Sequence, residues 1–175
     1  MKYEEKTVSE NYIYRGKILS LRCDDALLPD GKPCKREIVE HTGGASVLAE
    51  TEKGIALVRQ YRYAYKEELY EIPAGKLNAG ENPEKAAARE LSEETGLVAD
   101  SLKLLTVLYP TPGYTNEKIY IYKAEGLSEG KEHLDQDEFL DTVYIPRAEV
   151  LNMIQDGRIK DGKTIAAVLI SELQK

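Results

Sequence analysis

The sequence predicts a mixed α/β fold, and three observations carry the prediction. Strand-like stretches fill the middle of the chain, three helical patterns accompany them, and three are too few for the crossovers of a doubly wound parallel sheet. Residues 1–45 read as strands broken by a turn at Pro29-Asp30-Gly31. REIVEHTGGASVLAE (36–50) then carries alternating and apolar stretches on either side of Gly43-Gly44, and GIALVRQYRYAY (54–65) alternates as a strand. KLLTVLYP (103–110) and KIYIYKAEGL (118–127) are two more strands, separated by the turn-rich TPGYTNE, and DTVYIP (141–146) is the last. Helical patterns cover 83–95, about 147–156 up to Gly157, and about 163–174. The first is the best bounded. Asn82 can accept free backbone N–H groups at the cap, Pro83 suits the first helical position, EKAAARELSEET favours helix, and Gly96 can end it in a left-handed conformation.

At 175 residues the chain is most naturally a single globular domain, with 42% apolar and 31% charged residues. No apolar run reaches the roughly 18 residues of a membrane span, so no membrane partner is expected. The net charge of −7 argues against a duplex nucleic-acid binder, which needs a basic face. A small phosphate ligand stays open, because a metal ion can neutralise its charge. MKYEEKTVSE has no apolar signal region, and Cys23 and Cys34 stand outside any CxxC pattern. Both features predict a reducing, cytoplasmic setting, with the two cysteines packed as small apolar residues.

The helix at 83–95 carries Glu90, Glu93 and Glu94 on one flank, where like charges cost a few tenths of a kcal/mol per pair. Arg89 can offset part of this by its i,i+4 reach to Glu93. A divalent cation would relieve the rest, since hard cations take oxygen ligands from carboxylates and phosphates. The plainer reading of such a cluster met alone is a solvated acidic face. The surrounding residues decide between the two. Gly75, Glu81, Arg89-Glu90-Leu91, Glu93-Glu94 and Gly96-Leu97 stand at the spacing of the Nudix box, and all nine specified positions match. The chain therefore resembles the Nudix hydrolase superfamily, which cleaves nucleoside diphosphates linked to another moiety.

Arg36-Glu37-Ile38-Val39-Glu40-His41, Arg59-Gln60-Tyr61-Arg62 and Glu71-Ile72-Pro73-Ala74-Gly75 are similar to the approach to the box in ADP-ribose pyrophosphatases. Pro112, fifteen residues after Leu97, and the acidic loop Asp135-Gln136-Asp137-Glu138-Phe139 extend that likeness. The resemblance implies a Nudix-type α/β/α sandwich around a mixed sheet (46–175), preceded by a strand-rich dimerisation segment (1–45). It implies two or three Mg²⁺ ions, with Mn²⁺ an alternative, held by Glu90, Glu94, Glu93, Glu138 and the backbone carbonyl of Ala74. Glu81 and Arg89 would orient the helix carboxylates. The base stays open between Glu138, Asp137, Asp135 and water acidified by metal alone, because Gln136 stands where some relatives have a second glutamate. Arg36, Arg62, Glu71 and Glu117 would contact a nucleotide-sugar substrate, although a salt bridge is the plainer reading of Arg36, Arg62 and Glu117. Tyr61, Tyr63 and Tyr65 could stack on adenine, but such alternation more often packs a sheet or an interface. His41 and His133 match no role in the box or the loop. The implied reaction is hydrolysis of ADP-ribose to AMP and ribose 5-phosphate by a homodimer whose N-terminal strands cross to the partner. Pyrophosphatases for ADP-glucose or GDP-mannose, and a non-catalytic ADP-ribose sensor, are the competing expectations.

Overall fold

Leu19–Leu27 is long enough to pair with three other strands, and it organises the N-terminal unit of the computed structural model, which describes residues 3–130 and 139–174. Here β1 (Lys6–Ser9), β2 (Tyr12–Arg15) and β4 (Pro33–His41) all run antiparallel to β3 (Leu19–Leu27). The expected turn closes β3 onto β4, with the Gly31 N–H donating to the Leu28 carbonyl at 2.8 Å. Asn11 bridges β1 and β3 by donating to Ser9 Oγ and Asp25 Oδ2. The unit comprises Met1–Gly43 and Tyr109–Lys118. The latter segment hydrogen-bonds to β4 through the Val39 N–H and the Tyr114 carbonyl, 2.7 Å. Tyr12, Ile13 and Tyr14 of β2 are all exposed.

Among the described residues, the second unit, Gly44–Leu108 with Ile119–Lys175, contains two sheets and three helices. One sheet has the order β10-β11-β5-β9, from β10 (Leu97–Leu108), β11 (Ile119–Glu129), β5 (Gly44–Leu48) and β9 (Ala74–Lys76). Its β11–β5 pair is parallel and the others antiparallel, so the sheet is mixed as predicted. The other is built on β7 (Gly54–Arg62), which pairs with β6 (Glu50–Thr51), β8 (Glu67–Glu71) and β12 (Leu140–Ile145). The sequence pattern merged β7 with the following hairpin turn and missed β6, β8 and β9.

The helices are α1 (Pro83–Thr95), α2 (Arg147–Gln155) and α3 (Gly162–Leu173). Ala45 and Val47 of β5 pack with Ala86, Ala87 and Leu91 of α1 in one core. Leu48 of the same strand joins Val150 and Met153 of α2 and Ala167 and Val168 of α3 in the other. A short strand that is apolar on both faces therefore separates α1 from α2 and α3, the layering of an α/β/α sandwich. Among the described residues no helix is long and apolar enough to cross a membrane.

Candidate active site

The α1 helix is set by its caps as the sequence predicts. Asn82 Oδ1 accepts the backbone N–H groups of Glu84 at 2.9 Å and Lys85 at 3.2 Å, and Gly96 ends the helix with φ 68°. Fixing both ends fixes which side chains face the sheet. Glu90 and Glu94, one turn apart, are only 6% and 4% exposed. The Glu94 carboxylate accepts the Ala74 N–H of β9 at 2.9 Å. Next to it, Gly75 leaves the space that the Glu90 carboxylate fills, since a Cβ added at Gly75 would overlap that carboxylate. Glu93 is a third exposed and stays at the rim. The three-carboxylate flank thus divides into two buried acids and one partly solvated acid, which removes the solvated-face reading.

Arg89 ties the flank together. Its guanidinium donates to Glu81 at 3.1 and 3.2 Å, to Glu90 at 2.7 Å and to Glu93 at 2.8 Å, the last being the expected i,i+4 pair. Hydrogen bonds to Glu81, with the charge of Glu90 and bonds to Glu93 and Glu90, outweigh burial and push the Arg89 pKa further up. Reciprocally, Arg89 holds the Glu81 carboxyl below its ordinary value. Glu81 also accepts the Asn78 N–H at 2.9 Å, anchoring the loop between β9 and α1. Three carboxylates around one guanidinium, with Glu94 one turn on against Ala74, leave an excess of negative charge at the flank, two of whose bearers are buried, and oxygen donors of this kind suit a hard divalent cation. Among the described residues no three His, Cys, Asp or Glu side chains converge as a ready-made metal site. Glu138, with Asp135, Gln136, Asp137 and His133, lies outside the described residues.

Residues 40–168 match the NUDIX domain, and residues 5–39 match the nucleoside diphosphate sugar hydrolase N-terminal domain. The chain belongs to the Nudix family. It is 41% identical to the ADP-ribose pyrophosphatase of Bacillus subtilis, over 98% of this chain and 95% of that protein. To the methanol dehydrogenase activator of Bacillus methanolicus it is 43% identical, over 99% of this chain and 95% of the relative. The crystal structure of an ADP compounds hydrolase superposes with a TM-score of 0.85 at 21% identity, covering 98% of this chain and 94% of that one, which shows the same fold.

The other residues expected at a Nudix site fall in both units. Arg36 belongs to the N-terminal unit and is held by Glu5, at 2.8 and 2.5 Å. Glu117 lies in that unit too, 3.2 Å from Nδ1 of a half-buried His41. Arg62 stands at the end of β7 in the second unit and grips Glu71 with two hydrogen bonds of 2.5 and 2.6 Å. Glu71 is 2% exposed, and Lys163 donates to its second oxygen. Burial alone would raise the Glu71 carboxyl, but Arg62 and Lys163 outweigh it and hold it below its ordinary value. Arg62, Tyr63, Tyr65, Leu69, Glu71 and Lys163 help line a hollow of about 270 Å³. A larger hollow of about 420 Å³, between Lys53, Leu97, Glu129 and Tyr144, contains none of the expected site residues.

Two expectations need correction. Tyr61, Tyr63 and Tyr65 do not pack the sheet: they are 54%, 84% and 73% exposed, because the β7–β8 hairpin extends past the part of β7 that the cores cover. Neither cysteine is fully buried, and both are free thiols. Sequence reasoning also missed Lys163. Its only local signal is the Asp161-Gly162-Lys163-Thr164 start of α3, where Asp161 accepts the Thr164 N–H at 2.9 Å.

Proposed function

We propose that this Nudix protein hydrolyses the diphosphate of ADP-ribose, giving AMP and ribose 5-phosphate. The observation that carries the reading is the pair of buried carboxylates, Glu90 and Glu94, set against Ala74 and Gly75 within a fully matched box. The 41% likeness to an ADP-ribose pyrophosphatase supports the choice of substrate.

Glu90 and Glu94, with Glu93, the Ala74 carbonyl and Glu138, would hold two or three divalent ions, Mg²⁺ in the first instance and Mn²⁺ as the alternative. Bound there, the ions would offset the charge of the diphosphate and make water more acidic. The chain's own residues do the rest. Glu81 and Arg89 keep the helix carboxylates from swinging to solvent, and the proton of the attacking water would go to Glu138, Asp137 or Asp135, or be lost from metal-acidified water with no separate base. Arg62, braced by Glu71, and Arg36 offer guanidinium forks to phosphate oxygens, and Glu117 accepts from ribose hydroxyls. Positioning and charge stabilisation do most of the work in such displacements.

The test is kcat/KM over a panel of ADP-ribose, ADP-glucose and GDP-mannose with Mg²⁺, for the parent and for Glu94→Gln. ADP-ribose is expected to lead the panel, and the variant to lose at least about a hundredfold in kcat. A preference for another sugar would move the assignment, and a variant within about threefold of the parent would remove Glu94 from the site. Tight binding of ADP-ribose by the parent without AMP release would make the protein a sensor.

The same reading includes a homodimer joined through the N-terminal strands, supported by the exposed Tyr12, Ile13 and Tyr14 of β2. Light scattering should give about twice the 19.6 kDa chain mass, and a species at the chain mass would remove it. The likeness to a methanol dehydrogenase activator supports a second reading, in which hydrolysis serves to activate a partner dehydrogenase. Activation of a methanol dehydrogenase by the parent but not by Glu94→Gln would favour it, and activation by neither would leave the hydrolase alone.

A further inference from the structure

We infer that Lys163, at the start of α3, is a positioning residue that sets Arg62 for substrate through the buried carboxylate of Glu71. The inference rests on the reading that Arg62 contacts substrate. It stands on a chain of alternating charges, Arg62–Glu71–Lys163–Asp161, that runs from β7 through β8 to α3. Arg62 occupies both Glu71 oxygens, at 2.5 and 2.6 Å, and Lys163 shares one of them. Lys163 is in turn held by Asp161 at 3.0 Å, with a side chain only 11% exposed. Asp161 cannot drift, because it caps α3 and accepts from both the Thr164 N–H (2.9 Å) and the Thr164 hydroxyl (2.6 Å).

A second bond from the same turn holds the neighbouring backbone. Thr164 Oγ1 accepts the Ile72 N–H at 2.8 Å, and Thr164 is fully buried. Glu71 and Ile72 are therefore pinned side by side to the first turn of α3, by a side chain and by the main chain. Two residues further on, the Ala74 N–H reaches Glu94.

Without Lys163 the Arg62–Glu71 pair would stay closed but lose its side-chain anchor to α3, leaving only the main-chain bond of Ile72 to Thr164. The guanidinium would then be free to swing with the exposed β7–β8 hairpin. Its net charge would be unchanged and its position would not, so the loss falls on substrate binding rather than on turnover.

The experiment is steady-state kinetics on ADP-ribose for Lys163→Met, Lys163→Arg, Arg62→Lys and the double variant Lys163→Met with Arg62→Lys. Lys163→Met is expected to raise KM about tenfold with kcat within about threefold, Lys163→Arg to stay near the parent, and Lys163→Met to add nothing once Arg62 is Lys. A merely structural lysine would lower Tm and the active fraction with KM unmoved, or would cost the same factor in both Arg62 backgrounds. Either result overturns the assignment. If Lys163→Met does not fold, Lys163→Gln carries the same cycle, and a Lys163→Arg as impaired in KM as Lys163→Gln also overturns it. A parent that releases no AMP from ADP-ribose overturns the substrate reading alone, and the cycle is then run on the best substrate of the panel.

Discussion

At Gly75 a missing methyl group decides where a carboxylate can sit. The Glu90 side chain, 6% exposed, fills the space over β9 that a Cβ at Gly75 would occupy. The colliding atoms are the far end of a side chain, so a larger residue is accommodated by moving Glu90 rather than by unfolding the strand. Gly75→Ala should therefore cost little stability but lower kcat about tenfold or more, because displacing the carboxylate proposed to hold metal by an ångström would misplace the reacting groups. Paired measurements of Tm and kcat test this. A variant with full kcat would mean that Glu90 need not lie against β9, and one that fails to fold would mean that the cost lies in the backbone.

At the scale of elements, α1 is the piece that presents Glu90, Glu93 and Glu94, and its caps are local. Asn82→Ala removes acceptors for two N–H groups and should cost about 1 kcal/mol, lowering Tm by about 2–4 °C in a chain of this size. An unchanged Tm in thermal denaturation would show that packing of Ala86, Ala87 and Leu91 sets the helix end without the cap. Because capping, helix propensity and the Gly96 stop act within a few residues, α1 was readable to its bounds from sequence, and so was its Arg89–Glu93 pair. The strands that support it were not. β9 is Ala-Gly-Lys, poor in strand formers, and exists because β5 pairs with it. The β7–β8 hairpin turns through Tyr63–Lys66 with no Gly, Pro or Asn. Its left-handed residue is Lys66, with φ 57°, so the turn carries no sequence signal. Spacing also could not show that Glu90 and Glu94 are buried while Glu93 is not, nor that Lys163 meets a glutamate 92 residues earlier. Both facts are products of tertiary packing.

For the whole molecule, cations hold many acids down. Hydrogen bonds from Arg36, Lys35, Lys32 and Arg89 lower Glu5, Asp25, Asp30 and Glu81, and Arg158 lowers Glu149 and Asp156. Most of these pairs lie in solvent and each contributes little. Glu71 differs because it is buried and joins β7, β8 and α3 through Arg62 and Lys163. Its folded pKa lies below the ordinary 4.5, so its contribution is complete above that value and is lost as pH falls through the lower folded value. Protonation of a buried, doubly paired carboxylate leaves two cations facing a neutral group, which adds to the positive charge the chain gains below its pI of about 5.1. Tm should therefore be flat from about pH 5 to neutral and fall steeply below about pH 4.5. Glu71→Gln supplies the control, since it imitates the protonated acid at every pH. At pH 7 it should melt well below the parent, and the gap should narrow as pH falls below the ordinary 4.5 toward the lower folded value, where the parent's own Glu71 takes up its proton. Melting curves by circular dichroism from pH 3 to 8 at fixed ionic strength measure that gap. If it stayed constant down to pH 3, the Glu71 charge would not be what joins the hairpin to α3, and the acid sensitivity would belong to the surface pairs.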